Sequence, residues 1–143
     1  MKLENQVCSL ELSQKLKELG VKQESLFWWL DRGGGFQIQY VEDLTDCAYD
    51  DEKNGSRFDW AMNYMKKFGE NNYLSAFTVA ELGEMLPENE NIVFMRFPNN
   101  HFQNVMQDDK KWGKYSGYAE GNTEADARAK LMVYLLENKL INP

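Results

Sequence analysis

The chain has little of the side-chain chemistry on which most enzymes and metal sites depend. Its 143 residues include a single histidine, His101, and two cysteines, Cys8 and Cys47, which stand in unrelated sequence contexts. A histidine-based triad needs a nucleophile and an orienting acid beside the imidazole, and a zinc site needs three or four ligands that are usually close in sequence. We therefore expect no catalytic residues, no metal, no cofactor and no enzymatic activity. Two cysteines are also too few for a disulfide framework.

Long apolar runs and an excess of basic residues are missing as well. No apolar segment approaches the roughly 20 residues of a membrane-spanning helix, and residues 1–7 lack the pattern of a signal peptide, so we expect a cytoplasmic protein outside the membrane. The 16 Lys and Arg residues stand against 23 Asp and Glu residues, for a net charge of −7. Because Lys and Arg neutralise phosphates, this balance disfavours nucleic acid as a partner unless a local basic patch compensates.

Apolar residues are nonetheless plentiful enough to build a core. Hydrophobic residues make up 43% of the sequence and aromatic residues 13%, whereas disordered chains are poor in both. A chain of this length normally folds as one unit. We expect a single domain over residues 1–143.

Four segments have apolar residues at helical intervals, and each begins at a serine or threonine that can cap a helix. They span 9–19, 56–68, 78–86 and 123–140. Thr78 and Glu81 also have the spacing of a capping box. In the last segment the apolar stripe is broad, which predicts either deep burial or a seam between subunits, so a homodimer is one expectation. The stripe consists of Ala125, Ala129, Met132, Leu136 and Leu140, widened by Leu131 and Leu135.

Strand signals lie between these helices. Residues 25–30 are rich in aromatic side chains, and 36–40 alternate apolar and polar side chains after the turn at 33–35, which predicts a β-hairpin with one apolar face. Further short strands are expected at 92–97, 101–106 and 112–118. The predicted fold class is α+β, with antiparallel sheets built from hairpins, helices packed on one face and the order α-ββ-αα-βββ-α.

An acidic segment at about 42–55 interrupts this pattern. It contains six carboxylates without a clear period: Glu42, Asp43, Asp46, Asp50, Asp51 and Glu52. Such residues can collect Ca²⁺ or Mg²⁺, but the alternating ligand spacing is lacking, so a solvated loop is the favoured interpretation. A carboxylate-dependent enzyme is the least favoured interpretation, because nothing predicts the burial that would separate two carboxyl pKa values.

Two glycine-containing segments resemble phosphate-binding loops. Gly33, Gly34 and Gly35 precede a strand rather than a helix that starts with Lys and Ser or Thr, so a hairpin turn is the better interpretation. Gly117, Gly121, Asn122 and Thr123 precede a helix N-terminus, which can bind anions, but a simple capped helix explains them too.

Residues 12–30 allow a helix-turn-helix interpretation as an alternative. A helix, a turn and a second apolar segment follow the outline of that motif. However, Lys15 and Leu16 depart from its usual pattern, and residues 22–24 offer a poor set for phosphates and base edges. The conformation of 25–30 decides between the two, since a helix there would favour DNA binding and a strand would not.

Aromatic side chains fall on both faces of the predicted hairpin. They are Phe27, Trp28, Trp29, Phe36 and Tyr40. Only one face of a half-buried sheet belongs to the core. The other face therefore predicts an aromatic patch for a protein partner, unless a third layer or the second helix covers it.

Three segments carry a family resemblance when taken together: VCSLELSQKLKELGVKQESLF at 7–27, FTVAELGEMLP at 77–87 and TEADARAKLMVYLLENKLI at 123–141. The combination resembles a family of small proteins of Bacteroidetes and of their phages and mobile elements, to which no activity is assigned. The resemblance implies a cytoplasmic, mobile-element-associated origin and contributes no site residues.

The C-terminal part, 78–140, has a second resemblance. Its α-βββ-α order, with Gly121-Asn122-Thr123-Glu124-Ala125 before a long helix, is similar to a double-stranded-RNA-binding domain and to the partial version of that fold in small antitoxins. RNA-binding versions usually start the last helix with a basic cluster, whereas this one starts with Glu124 and Asp126. The resemblance thus implies a fold more than it implies RNA binding.

The favoured function is a non-enzymatic protein-interaction or regulatory accessory protein of phage or mobile-element origin, with an unidentified protein partner. The alternative is a nucleic-acid-binding protein, through 12–30 or through 78–140.

Overall fold

The computed structural model describes residues 2–45, 56–87, 92–97, 101–106 and 118–143. In chain order the helices are α1 (Leu10–Glu18), α2 (Val41–Thr45), α3 (Arg57–Lys66), α4 (Val79–Met85) and α5 (Glu124–Glu137). The strands are β1 (Phe27–Asp31), β2 (Phe36–Tyr40), β3 (Tyr73–Ser75), β4 (Ile92–Phe97), β5 (His101–Met106) and β6 (Tyr118–Gly121). The predicted α+β class with antiparallel hairpins is confirmed.

Besides the short 3₁₀ helices Leu3–Asn5 and Glu70–Asn72, two elements were not predicted. The first is α2, whose residues 42–45 form the start of the segment expected to be an acidic loop, so that part of the prediction is wrong; the rest of that segment, 46–55, lies outside the described residues. The second is β3, a strand of three residues that is too short to show a period. The expected strand at 112–118 is described only from Tyr118 onward.

The first sheet has the order β2-β1-β3, and all of its pairs are antiparallel. In the turn between β1 and β2, the Asp31 carboxylate accepts hydrogen bonds from the backbone N–H groups of Gly33 and Gly35 at 2.7 and 3.0 Å. Both glycines have positive φ angles, 98° and 97°, which other residues rarely adopt. The turn interpretation of the three glycines therefore holds.

One face of this sheet is covered by α2 and α3. Trp28 and Leu30 of β1 point to that side and are fully buried. They share a core cluster with Val41, Leu44, Ala61, Met65 and Tyr73. Burying a large side chain of this kind contributes roughly 1.5–3 kcal/mol, so this cluster determines which way the hairpin faces.

The second sheet has the order β4-β5-β6 and is packed against α5. The opposite side of α5 contacts α1 and α4. As a result, most of the broad apolar stripe is buried within a single chain, including Leu131 at 1% exposure and Leu135 at 0%. The stripe predicted deep burial or a subunit seam, and deep burial is what the structure has.

The helix-turn-helix interpretation of 12–30 is wrong. Its first helix exists as α1, but no helix follows within 21–26, and 27–31 form β1. The physical reason is that β1 is the central strand, bonded on both sides to β2 and β3, and its alternate side chains enter the core. Tertiary pairing therefore fixes this aromatic segment as a strand.

The Glu81 carboxylate is one of the groups that join the two halves of the structure. Glu81 accepts a hydrogen bond from the Thr78 N–H at 2.7 Å, which closes the predicted capping box of α4. The same carboxylate accepts from the Ser25 hydroxyl at 3.0 Å and from the Leu26 N–H at 3.1 Å, immediately before β1. Glu81 thereby links α4, which belongs to the α5 core, to the start of the first sheet.

Replacing Glu81 with Ala should lower the free energy of unfolding by about 2–3 kcal/mol, because three donors lose a charged acceptor. Glu81→Gln keeps one oxygen acceptor and should cost about 1 kcal/mol. Urea unfolding followed by tryptophan fluorescence measures both values. Glu84→Ala, an exposed change on the same helix, is the matched control and should stay within about 0.5 kcal/mol of the parent chain. Equal stabilities for the Glu81→Ala and Glu84→Ala chains would contradict the proposed link.

Candidate interaction surface

The face of the hairpin opposite α2 and α3 carries a group of apolar, mostly aromatic side chains. We define this aromatic face as Phe27, Trp29, Phe36, Ile38 and Tyr40. Antiparallel pairing aligns Phe27 with Tyr40 and Trp29 with Ile38, which places these side chains on one side of the sheet. All five are half-buried, whereas Trp28 on the other face is fully buried.

The aromatic face is held in place by specific contacts. The rings of Phe27 and Tyr40 stack with their centroids 5.0 Å apart. The indole N–H of Trp29 donates to the main-chain carbonyl of Cys8 at 3.1 Å. Such rings lose little conformational entropy on binding because they are already oriented.

Tyr40 keeps its hydroxyl proton at physiological pH. Desolvation raises the pKa of its phenol first, and the charge of Glu42, the hydrogen bond to Glu42 and the charge of Asp43 raise this pKa further. The aromatic face thus includes a neutral ring with a hydroxyl group at its border. Rings of this kind are typical of protein interfaces, where one end is apolar and the other end is wet.

On β1 and β2 the helical layer lies on the other side of the sheet, whereas at β3 the aromatic side is covered too, since Leu74, the cross-strand partner of Trp29, is buried and α1 contacts β3. The second predicted helix, now α3, packs through Ala61 and Met65 onto the face of Trp28 and Leu30. The sequence left open which side of β2 belongs to the core, and the register with β1 decides it. Gln37 and Gln39 stand opposite Leu30 and Trp28 on the helix-covered side.

Cys8 is a structural thiol. It is fully buried, and its Sγ lies 3.2 Å from the Ser13 hydroxyl. Burial raises the pKa of the Cys8 thiol from 9.0 to about 11, so the nucleophilic thiolate is scarce at neutral pH. The other cysteine, Cys47, lies outside the described residues.

The remaining polar candidates form no common centre in the described part of the chain. His101 stands opposite Phe97 in the β4–β5 pair, and its side chain is outside the description. Glu42 and Asp43 are exposed in the first turn of α2, and the other four acidic residues of 42–55 are outside the described ranges. Within those ranges, no group of three or more His, Cys, Asp or Glu side chains could hold a metal ion.

The α5 N-terminus, the second candidate for an anion site, is capped by side chains of the protein. The Thr123 hydroxyl accepts a hydrogen bond from the Asp126 N–H at 3.1 Å, and the Asp126 carboxylate accepts one from the Ser9 N–H at 2.7 Å. A Cβ atom on Gly121 would lie 2.6 Å from the Ala127 nitrogen, so this glycine is needed for close packing. A capped helix explains residues 121–123, and Gly117 lies outside the described residues.

Comparison with known proteins adds no relatives to this description. No family model matches the chain, and the searches of curated proteins and of solved structures gave no match. In the described ranges, none of the helices has the length and apolarity that crossing a bilayer would require.

The thiol of Cys8 should react only when the chain opens. In a Cys47→Ser chain, a disulfide reagent at pH 8 should label Cys8 at least about 100-fold more slowly than it labels the urea-unfolded chain, since the raised pKa alone lowers the thiolate fraction by about that factor. The folded state holds this proton more tightly than the unfolded state does, so stability should also fall as the pH rises from 9.0 toward 11. Rapid labelling of the native chain, at the rate of a free model thiol, would contradict the assignment.

Proposed function

We propose that this chain is a non-enzymatic interaction protein that binds another protein through its aromatic face. The observation that carries the proposal is the contrast between the two sides of the first sheet. One side is buried under α2 and α3, while the other presents five half-buried apolar side chains. Aromatic side chains of this kind supply much of the binding energy at protein interfaces.

The arrangement favours binding over chemistry. Trp29 and Phe27 are already held by the Cys8 carbonyl and by the Tyr40 ring, so a partner would meet a preformed surface. The buried nucleophile of the described chain, Cys8, has its pKa shifted away from reactivity. A regulatory or accessory role in the cytoplasm of a bacterial host, with a phage or mobile-element origin, follows as a proposal from the resemblance of 7–27, 77–87 and 123–141.

Nucleic-acid binding through 78–140 is the second candidate. In its favour, α4, the β4-β5-β6 meander and α5 follow the α-βββ-α order of a double-stranded-RNA-binding domain. Against it, the basic residues of α5 are engaged within the chain. Arg128 forms an ion pair with Glu124 at 2.8 Å, and the Lys130 ammonium group donates to the Glu120 carbonyl at 2.7 Å. The ion pair offsets the charge of Arg128, which leaves less positive charge for phosphates.

The aromatic face should be required for partner capture. An affinity capture from lysate of the host, with and without nuclease, compares three tagged chains: the parent, Phe36→Ser and Gln37→Ser. We expect a stoichiometric protein partner that resists nuclease, is retained by Gln37→Ser and is reduced about tenfold or more by Phe36→Ser, because interface aromatics often contribute over 1 kcal/mol each. Gln37 is the matched control since it is exposed on the opposite side of the same strand.

The same experiment separates the two candidate functions. Species that vanish with nuclease, together with binding that weakens steeply as salt is raised, would replace the protein-interaction proposal with nucleic-acid binding. A partner captured equally by both variants would place the binding surface elsewhere on the chain. Melting temperatures of the two variants establish that each is folded under the conditions of the assay.

A further inference from the structure

Among the strands that the structure describes, β2 lies at an edge of the first sheet, and its outward hydrogen-bonding groups can be identified. The Val41 N–H donates to the Leu26 carbonyl at 3.0 Å, while the Phe27 carbonyl accepts from Ala76, on the β3 side, at 2.9 Å. Because hydrogen-bonding direction alternates along an antiparallel strand, the main-chain groups of Phe36, Ile38 and Tyr40 point away from β1.

The opposite edge of the sheet is protected by side chains. On β3, the Ser75 N–H donates to the Gln23 side-chain oxygen at 2.9 Å, and the Lys17 ammonium group donates to the Tyr73 carbonyl at 3.3 Å. Strand β2 has the sequence Phe-Gln-Ile-Gln-Tyr, with no charge and no proline. Charged side chains and prolines are the usual features that keep an edge strand from pairing with another strand, and β2 has neither.

We propose that β2 pairs with β2 of a second copy of this chain, antiparallel and with the two-fold axis at Ile38. The strand is self-complementary about that residue. Phe36 meets the second copy's Tyr40, Gln37 meets its Gln39, and Ile38 meets its own counterpart. A two-fold interface needs such self-complementarity, and aromatic pairs directly across two strands are favourable.

The residues of β2 whose main-chain groups point outward are the ones that this register needs as hydrogen-bonded pairs. In the Ile38-centred pairing, the residues that face each other as hydrogen-bonded pairs are Ile38 with itself and Phe36 with Tyr40. These are the three residues whose N–H and C=O groups point outward. The pairing therefore uses every outward group of β2 without changing the first sheet.

The charges beyond the strand ends are complementary as well. The hairpin turn before β2 carries Arg32, and the first turn of α2 after β2 carries Glu42 and Asp43, all three exposed. Antiparallel pairing brings the Arg32 turn of each copy beside the acidic turn of the other. Within one copy the Arg32 guanidinium reaches along β2 and donates to the Gln39 side chain at 3.4 Å, so the attraction across the pair adds to this contact.

Such a dimer would join the two aromatic faces into one continuous surface. The pairing depends on the main-chain edge and on charges at its ends, not on a partner of the aromatic face. It therefore goes beyond the proposed function and can fail or stand independently of it.

The first test is a charge-swap cycle at the strand ends. Sedimentation equilibrium from about 1 to about 500 µM measures the dimer dissociation constant of the parent chain, Arg32→Glu, Asp43→Arg and the double variant. We expect a reversible dimer of the 16.7 kDa chain. Each single variant should raise the dissociation constant about tenfold, and the double variant should restore most of the affinity.

The second test removes a main-chain donor. Ile38→Pro deletes an N–H that points away from β1, so the first sheet keeps its own bonds while the central pair of the dimer is lost. It should raise the dissociation constant about tenfold or more relative to Ile38→Ala, which loses the same side chain but keeps the N–H. Circular dichroism and melting temperature check that both variants fold.

Several results would overturn the proposal. A chain that stays monomeric over the whole concentration range would do so. So would a dimer that is unaffected by Arg32→Glu and by Ile38→Pro, because that dimer would use another surface. An unfolded Ile38→Pro chain leaves the charge-swap cycle as the deciding measurement. Partner capture by the Arg32→Glu chain, whose aromatic face is unchanged, shows separately whether the proposed function holds.

Discussion

The position at which the central strand begins depends on one carboxylate, that of Glu81. As a capping residue it is a local feature of α4, where it satisfies a main-chain donor that every helix start leaves over. Its remaining lone pairs reach Ser25 and Leu26, the residues that lead into β1. The start of the central strand is thereby fixed against the helix that packs on α5. Because β1 is bonded on both sides, this point also fixes β2 and β3.

Once β1 is fixed, its alternation decides what each face of the first sheet does. Trp28 and Leu30 enter the core under α3, and Phe27 and Trp29 are left on the other side. The core side gains apolar burial along the whole of β1, whereas the other side is covered only toward β3, where Leu74 is buried and the Trp29 indole donates to the Cys8 carbonyl. The aromatic face is therefore a consequence of how the core is filled, since a strand this rich in aromatics cannot bury both of its faces under one layer.

Local patterns in the sequence were enough to predict much of this fold. The capping signals of α3, α4 and α5 and the glycine turn before β2 depend on neighbouring residues, and each is present in the structure. Long-range effects were not predictable in the same way. β3 is too short to have a period, and the alternation of Phe36, Ile38 and Tyr40 left open which face of the hairpin belongs to the core. Which face is buried depends on where α3 packs, and no pattern within β2 encodes that.

The apolar stripe of α5 and the edge of β2 are the two surfaces considered for self-association, and only the first can be recognised in the sequence. The stripe on α5 is visible in the sequence because apolar residues at helical spacing mark a buried surface, but they do not say whether the same chain or another one covers it. Here α1, α4 and the second sheet cover it. No pattern in the sequence identifies β2 as an edge strand, because main-chain donors and acceptors are the same for nearly every residue. An edge arises from strand order, and only the order β2-β1-β3, together with the side chains that close the β3 side, distinguishes it. Surfaces built from side chains can thus be anticipated from sequence, whereas surfaces built from the backbone emerge only with the topology.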